Sequence, residues 1–144
     1  MSDQRKQTLK TLQERFGSKL EMEERSPKRV YVLVDKGDVP EVIRFIFQEQ
    51  GARLCTASGV DSRWGVEIIY HFAYDTQNMI VSLRTLVDKP FMKIESVANF
   101  LPAADWIERE IHEMFGVDFI GHPDLRRLLL PDDWPEGEYP HRRS

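Results

Sequence analysis

The stretch VEIIYHFAYDTQNMIVSLRTLV, residues 66–87, decides the fold because its side chains alternate on both sides of a short turn. In the first half, apolar residues occupy every second position: Val66, Ile68, Tyr70, Phe72 and Tyr74. A period of two predicts a strand with one buried face. Residues 75–78 have hairpin-turn chemistry, and 79–87 form the returning strand. The sequence therefore predicts an antiparallel pair of strands.

The segments on either side of this hairpin supply further strands and helices. Val30–Val34 is a continuous apolar, β-branched run that predicts a buried strand, and Arg53–Ser58 predicts another. Leu20 and Met22 alternate with charged residues, which predicts a weak edge strand. Apolar spacing and helix-ending glycines predict helices over 8–16, 38–50 and 103–115, and a short one over 96–101. This order predicts an α+β fold, with a small, mainly antiparallel sheet and helices packed on one face.

Composition and charge exclude several classes of function. The net charge is −4 over 144 residues, whereas a general nucleic-acid binder should present a basic face. No apolar run approaches the roughly 20 residues that span a bilayer. The N-terminus lacks the apolar core of a signal peptide, which predicts a cytoplasmic protein. Cys55 is the only cysteine, so the chain forms no internal disulfide and holds no cysteine-ligated iron–sulfur cluster, which takes about four thiolates.

Motifs of catalytic and metal sites are incomplete in this chain. A nucleotide-binding loop needs clustered glycines between a strand and a helix, and none occurs. The helix at His112–Gly116 begins like that of zinc proteases, but Gly116 stands where the second histidine ligand belongs. Glu108 and His112 are four residues apart, a spacing that an ordinary helix pair also has. Cys55 is predicted to be a small buried hydrophobe and His71 a structural histidine.

The helix at 103–115 carries the densest group of charges. Its apolar stripe is predicted to consist of Ile107, Ile111, Met114 and Phe115. Glu110 is then expected at the edge of the stripe, partly buried, while Glu108 and Arg109 face away. A partly buried carboxylate needs a partner, and Arg126 or Arg127 is the predicted one. Such a network either fastens the C-terminal tail to the helix or forms an interface, and both roles stay open.

The C-terminal segment has a different composition from the rest of the chain. Half of the eight prolines fall between Pro123 and Pro140, together with apolar anchors such as Trp134 and Tyr139. Proline prevents regular structure, while the apolar residues are too many for a simple disordered end. We therefore predict an α+β domain over 1–120 and an extended docking tail over 121–144. The alternative is a tail that wraps around its own domain.

The residues from Trp106 onward resemble the signature of the C-subunit family of the respiratory NADH dehydrogenase, complex I. That family has a Trp-x-Glu-Arg-Glu helix, a Phe-Gly-x-x-Phe segment and a Gly-His-Pro-Asp/Asn-Leu-x-Arg turn. Here they read WIERE at 106–110, FGVDF at 115–119 and GHPDLRR at 121–127. The upstream segments 56–61 and 67–72 are similar as well. The resemblance therefore extends from about Val30 to the end of the chain.

The resemblance implies a non-catalytic peripheral-arm subunit of NADH:quinone oxidoreductase, without a redox cofactor or metal of its own. The implied partners are a large subunit related to nickel–iron hydrogenases and other peripheral-arm subunits, which hold the iron–sulfur clusters. Membrane contact, at the cytoplasmic face of the inner membrane, would occur only through the assembled complex. The residues implied to bind partners or carry the family signature are Glu108, Arg109, Glu110, Phe115, Gly116, Gly121, His122, Pro123, Leu125, Arg127 and Trp134. For His122, a role in holding the turn and a role in facing a partner both stay open.

Other features favour related or different functions. The tail LLPDDWPEGEYP, residues 129–140, resembles the homologous subunit of membrane-bound, energy-converting hydrogenases at least as much as it resembles the complex I subunit. His112 and Glu113 stand where many complex I members carry an aromatic residue and an aspartate. The electron donor and acceptor therefore stay open, although the scaffold role does not change. A rival from another class is a free-standing enzyme that uses His112, Glu108 or Cys55.

Overall fold

The computed structural model describes residues 2–123, Gly137 and residues 139–141. Three α-helices and seven β-strands occur in this part of the chain. In chain order they are α1 (Ser2–Phe16), β1 (Leu20–Ser26), β2 (Arg29–Val34), α2 (Val39–Arg44, continued by a π-helical turn at Phe45–Glu49), β3 (Arg53–Ser62), β4 (Gly65–Tyr74), β5 (Met79–Asp88), β6 (Lys93–Glu95), α3 (Ala104–Phe115) and β7 (Asp118–Ile120).

Five strands form one sheet in the order β1-β2-β5-β4-β3. Three of the four pairings are antiparallel, and the central β2–β5 pairing is parallel, with Val32 opposite Leu83. The short strands β6 and β7 form a separate parallel pair in which Ile94 lies opposite Phe119. The fold is therefore α+β with a mainly antiparallel sheet, and the predicted fold class is confirmed.

One face of the sheet is buried against the helices. The even positions of β4 from Val66 to Tyr74 are buried, as the period of two predicts. They belong to one core with side chains of all three helices, including Leu12, Ile43 and Phe115. The opposite face is open, since Leu33 and Leu86 remain 48% and 41% exposed. The helices therefore cover a single face of the sheet.

Two local predictions are wrong. Residues 96–101 do not form a helix but a single turn, in which the Leu101 N–H donates to the Val97 carbonyl at 2.9 Å before Pro102 interrupts the backbone. Cys55 is exposed rather than buried, because it lies on an edge strand where the pairing register shifts between Leu54 and Thr56. The strands β6 and β7 have no counterpart among the predicted elements, since three residues are too few to show a period.

The predicted hairpin, edge strand and C-terminal ends of the main helices are confirmed, whereas α1 begins at Ser2 rather than at residue 8. Residues 75–78 connect β4 to β5, with Asn78 in the left-handed conformation at φ 50°. His71 is a structural histidine, since its Nδ1 lies 2.8 Å from the Ser82 hydroxyl. No helix within the described ranges is long and apolar enough to cross a membrane. Most of the proposed tail, at 124–136, 138 and 142–144, lies outside the described residues, so the boundary at 120 stays a prediction.

Candidate functional site

The helix α3 presents its buried stripe to the sheet and ends where the sequence predicts. Ala104, Ile111 and Phe115 are buried along one side of it. Gly116 follows in the left-handed conformation at φ 77°, and its N–H donates to the His112 carbonyl at 2.9 Å. Glycine adopts this conformation at little cost, which explains why the helix stops there.

A glycine on the neighbouring strand lets α3 come close to the sheet. A Cβ added at Gly59 of β3 would lie 2.6 Å from Cε2 of Phe115. Any larger residue at this position would therefore push the Phe115 ring, and with it the end of α3, away from β3. The family signature residue Phe115 is thus a packing residue that sets the position of the helix.

Glu108 is the buried acid of the signature, which corrects the predicted orientation of the helix. Its side chain is fully buried, whereas Glu110 is exposed. The buried stripe is centred on Ala104, Ile111 and Phe115, and at about 100° per residue Glu108 lies on the same side of the helix, next to Phe115. The prediction built the stripe on Ile107, Ile111, Met114 and Phe115, which turned it too far round the helix towards Met114 and left Glu108 outside it.

Two hydrogen-bond donors in the turn before α3 lower the free-energy cost of burying the Glu108 carboxyl group. The Ser96 hydroxyl donates to Oε1 at 2.5 Å, and the Val97 N–H donates to Oε2 at 2.9 Å. The Ser96 oxygen also accepts the Ala98 N–H at 3.0 Å, which closes the turn. Burial raises the pKa of Glu108, while the two hydrogen bonds and nearby His122 oppose that rise. Glu108 therefore joins helix α3 to the segment 96–98 that precedes it.

His122 lies at the other side of this cluster, at the start of the predicted tail. Its side chain is buried, and Nε2 lies 3.1 Å from both the carbonyl oxygen and carboxylate Oδ1 of Asp105, and 3.9 Å from Oε1 of Glu108. The ring N–H can donate to the carbonyl, and the carboxylates add attraction when the ring is protonated. The backbone N–H of His122 donates to the Phe119 carbonyl at 3.2 Å. His122 thus fastens the turn at 121–123 to α3.

Gly121 and Pro123 complete the turn around His122. Gly121 has φ 81°, in the left-handed region that favours glycine, and its carbonyl accepts the Asn99 side-chain amide at 3.0 Å. Pro123 is exposed. The turn at 121–123 is therefore fastened to both the 96–99 segment and α3.

The histidine of the helix is also used within the fold. His112 Nδ1 lies 2.8 Å from the Val117 carbonyl and thus holds the backbone beyond the helix end. Glu108 and His112 hydrogen-bond with separate groups, and the Cys55 thiol lies 3.9 Å from the Arg53 carbonyl. No cluster of three or more potential metal ligands occurs among the residues that the structure describes. Glu108, His112 and Cys55, which the free-standing enzyme would use, therefore each contact a different group of the fold.

The outward side of this region combines exposed apolar and charged residues. Trp106 is 55% exposed and Ile120 is 50% exposed. Glu110 is exposed one turn after Trp106 on the same helix, and Arg109 beside it is half-buried. Glu113 is also buried, although at about 100° per residue it lies on the opposite side of the helix from Ala104 and Phe115. Trp106 and Glu110 form what we call the α3 outer surface.

The predicted contact between Glu110 and Arg126 or Arg127 lies partly outside the described residues. Both arginines, with Leu125 and Trp134, belong to the undescribed range 124–136. Near the end of the chain, the His141 N–H donates to the Met114 carbonyl at 2.9 Å. The His141 ring stacks edge-on against Phe115, with ring centres 5.4 Å apart. At this point the C-terminal segment contacts its own domain.

Fold and site together define an α+β domain whose motif residues anchor one helix and the turn after it. The family of the respiratory-chain NADH dehydrogenase, 30 Kd subunit, matches residues 32–144, and the chain belongs to this family. The resemblance read from the Trp106–Arg127 signature is thereby confirmed.

Relatives of the chain come from several kinds of complex. It is 37% identical over 122 residues to the C subunit of F(420)H(2) dehydrogenase from Methanosarcina mazei, covering 83% of this chain and 77% of that one. It is 33% identical to the C subunit of NADH-quinone oxidoreductase from Chloroherpeton thalassium, covering 94% and 58%. It is also 33% identical to hydrogenase-4 component G of Escherichia coli, covering 89% and 24%. The chain thus spans about a quarter of the hydrogenase component and somewhat over half of the oxidoreductase relative.

Two solved structures share the fold. A chain of the membrane-bound sulfane sulfur reductase, an archaeal respiratory membrane complex, superposes with a TM-score of 0.85 at 22% identity, covering 95% of this chain and 82% of that one. A trypsin-resistant fragment of Nqo5 superposes with a TM-score of 0.68 at 18% identity, covering 87% and 100%.

Sequence reasoning missed the groups that surround Glu108. Ser96 and Val97, which bind Glu108, and Asp105, which binds His122, carry no motif, and the contacts of Val97 and Asp105 use backbone atoms. A signal existed in the spacing, because Ala104, Glu108, Ile111 and Phe115 fall at i, i+4, i+7 and i+11. That pattern places Glu108 on the buried stripe once a carboxylate is allowed there.

Proposed function

We propose that this chain is a peripheral-arm subunit of a complex I-type NADH:quinone oxidoreductase. It packs against the large subunit related to nickel–iron hydrogenases and against other peripheral-arm subunits. Electrons pass from NADH to quinone through iron–sulfur clusters of those partners, and this chain contributes no cofactor and no catalytic residue. It lies at the cytoplasmic face of the inner membrane and reaches the membrane only through the complex.

The family match over residues 32–144 is the observation that carries this proposal. The geometry of the signature supports it, because Glu108, His112 and His122 direct their polar atoms at groups of their own domain. A residue used in this way positions a surface rather than reacting with a substrate. The α3 outer surface, with exposed Trp106, is then available to a protein partner.

A second candidate is the corresponding subunit of a membrane-bound, energy-converting nickel–iron hydrogenase. The observation in its favour is the 33% identity to hydrogenase-4 component G over 89% of this chain. The scaffold role would be the same, and the electron donor and acceptor would differ.

Purification of the tagged chain from its native host tests both candidates. Mass spectrometry should find a large hydrogenase-like subunit without nickel-ligand CxxC pairs, and the preparation should oxidise NADH with quinone. A nickel-containing large subunit with hydrogen evolution would replace the first candidate by the second. Recovery of neither subunit would refute the scaffold role.

Surface variants of the same tagged chain locate the contact. Trp106→Ala and Glu110→Arg should each reduce recovery of the large subunit, since both side chains lie on the α3 outer surface. Glu14→Arg is the matched control, because Glu14 is an exposed helical glutamate on α1. Equal recovery from all three variants would show that the partner binds elsewhere.

A further inference from the structure

The open face of the sheet carries a patch of exposed apolar side chains. On this face Leu33 of β2 lies opposite Arg84 of β5, which lies opposite Ile69 of β4. In the next row Leu86 lies opposite Glu67, which lies opposite Val60 of β3. Leu33, Leu86 and Val60 are 48%, 41% and 50% exposed. We call the six residues Leu33, Val60, Glu67, Ile69, Arg84 and Leu86 the outer sheet patch.

The charges within the patch neutralise each other. Nη2 of Arg84 lies 3.0 Å from both carboxylate oxygens of Glu67, and both side chains are about two thirds or more buried. When an apolar partner covers an ion pair that is already partly desolvated, the desolvation free energy is much smaller than for a single unpaired charge. The centre of the patch therefore suits an apolar contact.

The border of the patch is acidic on one side. Glu21 of the edge strand β1 lies opposite Leu33, is exposed, and makes no ion pair within the described part of the chain. Next to Leu33 and Leu86 runs a groove of about 510 Å³, lined also by Val34, Asp35, Lys36 and Asp88. Lys36 pairs with Asp88 at 2.5 Å, while the Asp35 carboxylate accepts the Gly37 N–H at 3.1 Å. Glu21 and Asp35 thus leave a surplus of negative charge beside the apolar residues.

We propose that the outer sheet patch docks an amphipathic helix of a partner subunit, whose apolar stripe covers Leu33, Leu86 and Val60 and whose lysine or arginine residues face Glu21 and Asp35. The proposal rests on the proposed function, since the partner belongs to the same complex. An apolar helix stripe is the usual cover for a sheet face, and it would complete a second helical layer. A second copy of this chain is disfavoured as the occupant, because its own Glu21 and Asp35 would add like charges to the interface and repel the first set.

Photo-crosslinking in the native host tests the occupant directly. A benzophenone amino acid at position 86 of the tagged chain should crosslink to one segment of another protein in the complex. That segment should show apolar residues three or four apart and at least two lysines or arginines beside them. The same group at Glu14, an exposed position on α1, is the control and should give no crosslink to this segment. Crosslinking of position 86 to another copy of this chain, or to nothing in a preparation that does recover the large subunit, would overturn the proposal.

A pair of charge reversals on one strand tests the acidic border. Glu21→Lys should lower recovery of the partner about threefold or more at low salt, with a smaller deficit as the ionic strength rises. Glu24→Lys is the control on the same strand. Glu24 lies opposite Val30, whose side chain is in the core, so Glu24 belongs to the helix-covered side. If both variants lose partner recovery equally, the loss reflects the changed net charge of the chain rather than a contact at Glu21. That result would refute the predicted acidic border.

Leu86→Asp separates this proposal from the proposed function. Leu86 is 41% exposed, so the variant should fold, which circular dichroism can verify. Its recovery of the partner should fall at least as far as that of Glu21→Lys. If the wild-type chain fails to recover the large subunit, the proposed function is refuted. If the wild type and Leu86→Asp recover it equally, only the docking surface is refuted.

Discussion

Replacing Glu108 and Glu110 separately by alanine tests how α3 is oriented. The two glutamates lie two residues apart on one helix, yet Glu108 is fully buried and Glu110 is exposed. Alanine at 108 leaves the buried Ser96 hydroxyl and Val97 N–H without their acceptor. Each unsatisfied buried donor costs about 1–3 kcal/mol, so we expect a loss of about 3–5 kcal/mol of unfolding free energy once the cavity is included. An exposed substitution such as Glu110→Ala should change stability by roughly 0.5 kcal/mol or less.

Urea denaturation at neutral pH measures both variants under identical conditions. Because the substitutions are chemically identical and lie on one helix, helix propensity is matched. A loss below about 1 kcal/mol for Glu108→Ala would refute the reasoning, since one unsatisfied donor alone costs that much. Equal losses for the two variants would refute it as well, because they would mean that both glutamates have the same environment.

The pH dependence of Glu108→Gln adds an independent check of the same burial. Burial raises the pKa of Glu108 above the ordinary value of 4.5, so the folded state binds its proton more tightly than the unfolded state. The resulting stabilisation is fully present below pH 4.5 and is lost as the pH rises through the folded pKa. The wild-type chain should therefore lose stability relative to Glu108→Gln as the pH is raised from about 4, by about 1.4 kcal/mol for each unit of pKa elevation. A stability difference independent of pH would contradict the raised pKa.

Three further outcomes follow from the packing and exposure of named residues. Gly59→Ala should cost about 1–3 kcal/mol in urea denaturation, because its Cβ would lie 2.6 Å from the Phe115 ring, and Phe115→Leu in the same chain should restore part of the loss; additive losses would contradict direct contact. His122→Ala should cost about 1–2 kcal/mol through loss of the contacts with Asp105, and Asp105→Asn should cost less because its carbonyl remains. The Cys55 thiol should react with a thiol reagent in the folded state at one per chain, and protection until unfolding would contradict its exposure.

The main strands and the ends of the helices could be predicted because their signals are local. The alternation from Val66 to Tyr74 reflects one buried face, which any strand on a one-sided core must have. Gly116 marks the end of α3 because the left-handed conformation there suits glycine. The parallel pairing of β2 with β5 could not be predicted, since residues about 50 positions apart pair through the arrangement of the whole sheet.

The sequence by itself determined the strand pattern, the helix ends and the family, because each depends on the order of residue types along a short segment or a motif. Only the tertiary structure decided which glutamate of the signature is buried. Burial of Glu108 depends on donors from Ser96 and Val97, which reach it only after the turn at 96–98 packs against α3. The exposure of Cys55 likewise depends on the edge position of β3. The spacing of α3 is compatible with a buried Glu108, but the donors that satisfy its carboxylate come from another segment and have no local pattern in the chain.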